Sequence, residues 1–206
     1  MPRTRRRLLW LPLAIAAALI GSTDTFSRAV AQRLSAAMGQ PVVIENRGGA
    51  GGGVGTTALA KAPPDGYTLG LSTTGTHAIN PALYGARLGY DPIKDFTPLT
   101  LALTSKTRSA FAPEVPTMEE AGVPGYSAAG SDLWFGIMAP AGLPRPLADR
   151  LQRELVAVLH SPDMQQTIRG QFFDPYTSTP EEFLKVIRDD GAKWERIVKE
   201  SRAKVD

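Results

Sequence analysis

The sequence predicts an α/β protein with a parallel sheet. Two kinds of segment carry that reading. Phe26, Val30, Leu34 and Met38 recur every four residues, the period of an amphipathic helix. Pro41–Glu45 (PVVIE), Tyr67–Leu71 and Leu133–Met138 (LWFGIM) are short apolar runs of strand type. In the first half their order is helix, strand, helix, strand, as in a parallel layer with crossover helices.

Ser22 or Thr23 can cap the first helix, and Gly39 fits the position just past its end. Pro41–Glu45 reads as a buried strand because it is short and β-branched. Gly48–Gly55 is a glycine-rich loop that leads into a short helix from about Thr56 to Ala62. Pro64-Asp65-Gly66 then turns the chain into the strand Tyr67–Leu71. Asp91–Asp95 is a polar turn, and Phe96–Leu103 is apolar and β-compatible. Thr104–Pro116 has no period and reads as loop. Thr117-Met118-Glu119-Glu120 fits a capping box, but Gly122 and Pro124 stop that helix within a turn. Pro140-Ala141-Gly142 closes the strand Leu133–Met138, and helices follow at about Pro146–His160 and Pro162–Arg169. The last helix opens on Thr179 as N-cap, Pro180 at the first position and Glu182 at the third. Phe183, Ile187, Trp194, Ile197 and Val198 form its apolar face, with Gly191 a weak point. A layer of this kind normally begins on a strand that feeds the first helix. Only an apolar leader precedes Gly21, so either the leader supplies that strand or the sheet is one strand short.

Arg3, Arg5, Arg6 and Arg7 precede a thirteen-residue apolar run, Leu8–Ile20. Residues 1–20 thus predict a signal-peptide-like leader and export to the periplasm, with Ala16-Ala17-Ala18 as the cleavage region. As a helix the run would span about 20 Å, too short to cross a bilayer comfortably. The 206 residues are 43% hydrophobic and 21% charged, which suits a folded soluble protein. The net charge of +3 comes from the leader: without its four arginines, 19 basic residues face 20 acidic ones. Nucleic-acid binding is therefore not expected. With no cysteine, disulfides, zinc–thiolate sites and cysteine nucleophiles are excluded.

The chemistry concentrates in Asp65–Tyr84, where a strand opens into Ser72, Thr73, Thr74, Gly75 and Thr76 and ends at Asn80-Pro81. Such a loop holds an anion through backbone N–H and hydroxyl donors, or it merely caps the following helix. Gly21, Ser22, Thr23 and Asp24 open the first helix, where free N–H groups and the positive dipole end also favour an anion. Asp24 reads more simply as a residue that complements the dipole. Where loops lie at the carboxyl ends of neighbouring strands, they meet at a switch point. Two such loops would make one anion-friendly wall. The glycine run Gly48–Thr56 lacks the Gly-Lys of a P-loop, and its glycines miss the dinucleotide register. His77 and His160 are not spaced as a metal pair. His160 reads as a favourable contact with the end of its helix. His77 could face a ligand or be simply solvated. Ser72 and His77 offer a remote nucleophile–base pair, but neither a nucleophile elbow nor an acid–base pair is found, so no enzyme, metal or cofactor is expected.

GSTDTFSRAVAQRLSAAMGQPVVIENRGGAGGGVGTTALAKAPPDGYTLGLSTTGTHAINPALY resembles the solute-binding proteins of the tripartite tricarboxylate transporter, or Bug, family. So do YDPIKDFTPLT, APEVPTMEEAGVPGYS, WFGIMAPAGLP and TPEEFLKVIRDDGAKWERIVKES. The resemblance covers nearly all of Gly21–Asp206. It implies a type II, Venus-flytrap lobe of the periplasmic-binding-protein kind, with most of the second lobe deleted after Thr100. On that reading 1–20 is the leader, 21–100 and 131–206 are the first lobe with its C-terminal helices, and 101–130 is a remnant of the second lobe or hinge. It implies a monomeric receptor for a small carboxylate that feeds membrane transporter subunits. The ligand residues it implies are Gly21, Ser22, Thr23, Asp24, Ser72, Thr73, Thr74, Gly75 and Thr76, together with His77 and Asn80 of the same stretch. With one wall missing, binding is expected to be impaired; a non-functional remnant and a small hydrolase are the alternatives.

Overall fold

In the computed structural model, residues 13–17, 22–104, 114, 116, 120, 133–170 and 173–203 are described. The capping box at Thr117 and most of the loop expected at Thr104–Pro116 lie outside them. So do Gly21 and the side chain of Ser22.

Apolar residues at helical spacing form α1, Ser22–Met38, whose buried stripe is Phe26, Val30, Ala31 and Leu34. Gly39, at φ +64°, ends it as expected. Before it, Leu13–Ala17 forms β1. After it come β2 (Val42–Asn46), α2 (Gly53–Ala60) and β3 (Thr68–Thr73). A π-helical turn, Gly75–Ile79, runs into α3, Asn80–Tyr84. Then follow β4 (Phe96–Thr104), β5 (Phe135–Pro140), α4 (Arg145–His160), α5 (Pro162–Arg169), β6 (Asp174–Pro175) and α6 (Pro180–Ser201). In α6 the capping box closes fully: the Thr179 N–H donates to Glu182 Oε2 at 2.8 Å, and the Glu182 N–H donates to Thr179 Oγ1 at 3.1 Å. Gly191 does not interrupt the helix.

The strand order is β2-β1-β3-β5-β4-β6. The leader thus supplies the strand in question. β1 runs parallel to β2 from Leu13↔Val42 to Ala17↔Asn46, and parallel to β3 from Ala14↔Thr68 to Ala16↔Gly70. The parallel layer stops there, because β3 pairs with β5, β5 with β4 and β4 with β6 in antiparallel fashion. β4 crosses residues 100 and 101 as one strand, with register shifts at Pro98/Thr100 and Leu101/Leu103. β2 departs from expectation. It lies at the sheet edge with Val43 half exposed, so a β-branched run was not a sign of burial here.

Helices cover both faces. On one face α1, α4 and α5 bury Leu69, Leu71, Phe135, Ile137 and Ala139 of β3 and β5. On the other, α2 and α6 pack on Met138, Leu101 and Trp134 through Leu59, Phe183 and Ile187. The period-two alternation of β5 sends its residues to the two cores in turn. The second core approaches the sheet closely. A Cβ on Gly136 would lie 2.1 Å from Phe183 Cζ. Trp134 stacks edge-on against Phe183 at 5.4 Å, and its indole N–H donates to Asp190 Oδ2 at 2.6 Å.

Candidate functional site

The carboxyl ends of β1, β2, β3 and β4 lie on one edge of the sheet. β1 is the strand at which the winding reverses, with β2 on one side and β3 on the other. This is the switch-point geometry at which open α/β sheets bind ligands. The glycine-rich segment after β2 and the π-turn after β3 meet there, α1 begins on this edge, and β4 ends on it.

The first turn of α1 is tied down on this edge. Thr23 is buried. The Asp24 carboxylate accepts from Arg28 Nε at 2.8 Å and from Asn46 Nδ2 at 2.6 Å. The Arg28 bond, then the Asn46 bond, hold its pKa below the usual carboxylate value. Asp24 therefore clips α1 to the end of β2 as well as complementing the dipole.

The second stretch is strand end plus helical turn rather than open loop. Its hydroxyls are mostly engaged. Ser72 is fully buried, and its Oγ donates to the Gly136 carbonyl at 3.0 Å. Thr74 is 1% exposed; its N–H donates to the Trp134 carbonyl at 3.2 Å and its Oγ1 accepts from the Trp134 N–H at 2.9 Å. Thr73 and Thr76 lock each other: the Thr73 N–H donates to Thr76 Oγ1 at 3.0 Å, and the Thr76 N–H donates to Thr73 Oγ1 at 3.1 Å. Thr73 and Gly75 are the members of Ser72–Thr76 that reach the surface.

His77 is buried, not solvated. Its ring lies edge-on to Phe96 at 4.9 Å, and its Nδ1 shares a hydrogen bond with Thr76 Oγ1 at 2.9 Å. Burial pushes its pKa down to about 3, so it is neutral at pH 7. Ser72 and His77 have separate partners, the Gly136 carbonyl and Thr76. His160 ends α4 and bonds Thr177 Oγ1 through Nε2 at 3.0 Å.

Two residues shape the wall from behind. Asn80 Nδ2 donates to the Gly51 carbonyl at 3.1 Å and the Ala50 carbonyl at 3.4 Å, which pins the glycine segment to the π-turn. The Ala50 and Gly51 backbones there have φ of +48° and +59°. Tyr90, which the sequence did not single out, donates through Oη to the Thr76 carbonyl at 2.5 Å. Its burial pushes its pKa up to about 12. Among the described residues no cluster of metal-ligating side chains is present, and no helix is long and apolar enough to cross a membrane.

The sequence matches the family described as the tripartite tricarboxylate transporter family receptor in two blocks, residues 26–101 and 99–202. The chain belongs to this receptor family. The two matched blocks of the receptor meet at residues 99–101, where the resemblance jumps after Thr100. BugT of Bordetella pertussis is 26% identical over 286 residues, an alignment that covers 90% of this receptor and 87% of BugT. Since this receptor has 206 residues, a long stretch of BugT has no counterpart in it. The solved structure of the periplasmic binding protein BugD matches with a TM-score of 0.84 at 21% identity, over 94% of this chain and 98% of BugD. MatC from Rhodopseudomonas palustris, solved with bound malate, matches with a TM-score of 0.80 at 20% identity, over 91% of this chain and 98% of MatC. The receptor thus has the periplasmic-binding-protein fold expected of it.

Proposed function

We propose that this receptor is a periplasmic solute-binding protein for a small carboxylate, that it acts as a monomer, and that it feeds the membrane subunits of a tripartite tricarboxylate-type transporter. The supporting observation is that the first turn of α1, tied to the end of β2 through Asp24 and Asn46, lies on the same carboxyl edge of the sheet as the end of β3. That edge offers helix-terminal N–H groups, Thr73 and Gly75, and the malate bound by MatC is a ligand of the matching charge type. In this reading the contacts come from the backbone of residues 21–24, from Thr73 and from Gly75. Ser72, Thr74, Thr76, His77 and Asn80 hold the wall in shape. The N-terminal segment directs export.

A receptor of this kind gains affinity when two lobes close and the ligand's remaining hydrogen bonds are completed away from water. Residues 101–130 are too short to supply a whole second lobe, so binding is impaired. Calorimetric titration with malate, succinate and citrate tests this. The expected result is saturation weaker than micromolar, lost in Thr73→Val. A clear micromolar titration would overturn the impairment. No response to any carboxylate at millimolar concentration would overturn carboxylate binding and leave a remnant.

A further inference from the structure

The apolar N-terminal segment meets two demands that exclude each other. As a targeting leader it would occupy a translocation channel and be cut in the Ala16-Ala17-Ala18 region. In the fold, Leu13–Ala17 is an interior strand, hydrogen-bonded to β2 along five residues and to β3 along three. Among the described residues β2 pairs with no other strand, so β1 joins it to the rest of the sheet. Neighbouring strands stand about 4.8 Å apart. Removing β1 would leave β2 and β3 about two spacings from each other, each with a row of unpaired N–H and C=O groups facing an empty slot. β2 could close the slot only by dragging its flanking helices with it, and α1 is fixed by Phe26, Val30 and Leu34 in the main core.

We infer that the folded protein retains Leu13–Ala17, and that cleavage in or just after this segment destroys the half of the sheet that carries the switch point. A segment held in the sheet is unavailable to a membrane or a peptidase. Folding and leader processing are therefore competing fates of the same residues, and the folded, exported form carries an uncut N-terminus. This inference is independent of whether the edge binds a carboxylate.

The test uses the full chain with a C-terminal tag, expressed in a bacterium that exports it. Soluble protein from cytoplasm and periplasm is examined by intact mass and by thermal unfolding. Every species with a cooperative transition is expected to contain residues 13–17, and any species shortened past Ala17 is expected to have lost the transition. A shortened species that unfolds cooperatively at the full-length midpoint would overturn the inference. Absence of a cooperative transition in the uncut chain would overturn it too. Two variants separate strand from leader. Ile15 sits opposite both Ile44 and Leu69, so Ile15→Pro removes a ladder N–H and is expected to abolish the transition. Leu9→Pro interrupts the same apolar run before β1 begins and is expected to leave the midpoint unchanged. An unchanged midpoint in Ile15→Pro would mean that the segment acts only as a leader, against the inference.

Discussion

Gly136 and Phe183 provide a test of how α6 is seated on the sheet. Phe183 is fully buried, and its ring lies where a side chain at position 136 would project. An added Cβ would be 2.1 Å from Cζ, 2.5 Å from Cε1 and 2.8 Å from Cε2. Three ring atoms inside contact distance cannot be relieved by one rotamer change, because Trp134 stands edge-on at 5.4 Å on the same ring. Gly136→Ala should therefore cost about 1–3 kcal/mol through overpacking. Phe183→Ala should cost about 3–5 kcal/mol through lost burial and a cavity. In the double variant the new methyl enters the space the ring vacates. Its penalty should then disappear, leaving the pair about 1–3 kcal/mol less destabilised than the sum of the single changes. Equilibrium urea unfolding followed by tryptophan fluorescence reads all four corners of the cycle, provided the slope stays constant. Additivity within about 0.5 kcal/mol would refute the reasoning, because it would mean that position 136 and the ring do not compete for the same volume.

Two further predictions concern the back of the wall. His77 is held neutral by burial, with its pKa near 3 against 6.5 for a free histidine. Below pH 6.5 the unfolded chain takes up a proton that the folded one refuses, so stability is full above pH 6.5 and falls with pH, by up to about 1.4 kcal/mol per unit. His77→Gln should flatten the urea midpoint between pH 6.5 and 5; an unchanged slope would assign it to other groups. Asn80→Ala strips the Ala50 and Gly51 carbonyls of their side-chain donor. A loss of about 1–2 kcal/mol there should raise amide exchange across residues 50–55 roughly 5- to 30-fold, whereas wild-type protection would show that the glycine segment holds itself.

What the sequence disclosed was what local chemistry decides. Thr179 and Glu182 predicted their own reciprocal bonds because both partners lie within one turn. Phe26, Val30 and Leu34 predicted the face of α1 because helix geometry alone brings them together. The misread features depend on distant partners. PVVIE has the composition of a buried strand, but its place at the edge is set by which strand it neighbours, and nothing within five residues encodes that. By local pattern Ser72, Thr74 and Thr76 form a donor-rich loop. Ser72 and Thr74 spend their hydroxyls on the backbone of Gly136 and Trp134, some sixty residues away, and Thr76 turns back on Thr73. His77 is buried by Phe96 and Tyr90, which no local pattern links to it. β1 is the sharpest case. LAIAA suits a leader or an interior strand equally well by composition, and the pairing on both sides selects the strand.

The excursion between β4 and β5 has a consequence for how such a protein changes over evolutionary time. Leu103 and Phe135 face each other across a hydrogen-bonded strand pair, so the chain departs and returns through one narrow gate. Whatever lies between them closes a loop whose ends are already fixed by the sheet. Loop-closure entropy grows only logarithmically, about 0.6 kcal/mol for each doubling of length. A whole lobe can be gained or lost through that gate with little strain on the six strands. The sheet therefore sets little limit on the length of chain carried between these two strands, and a chain of this kind can change size there while keeping its architecture.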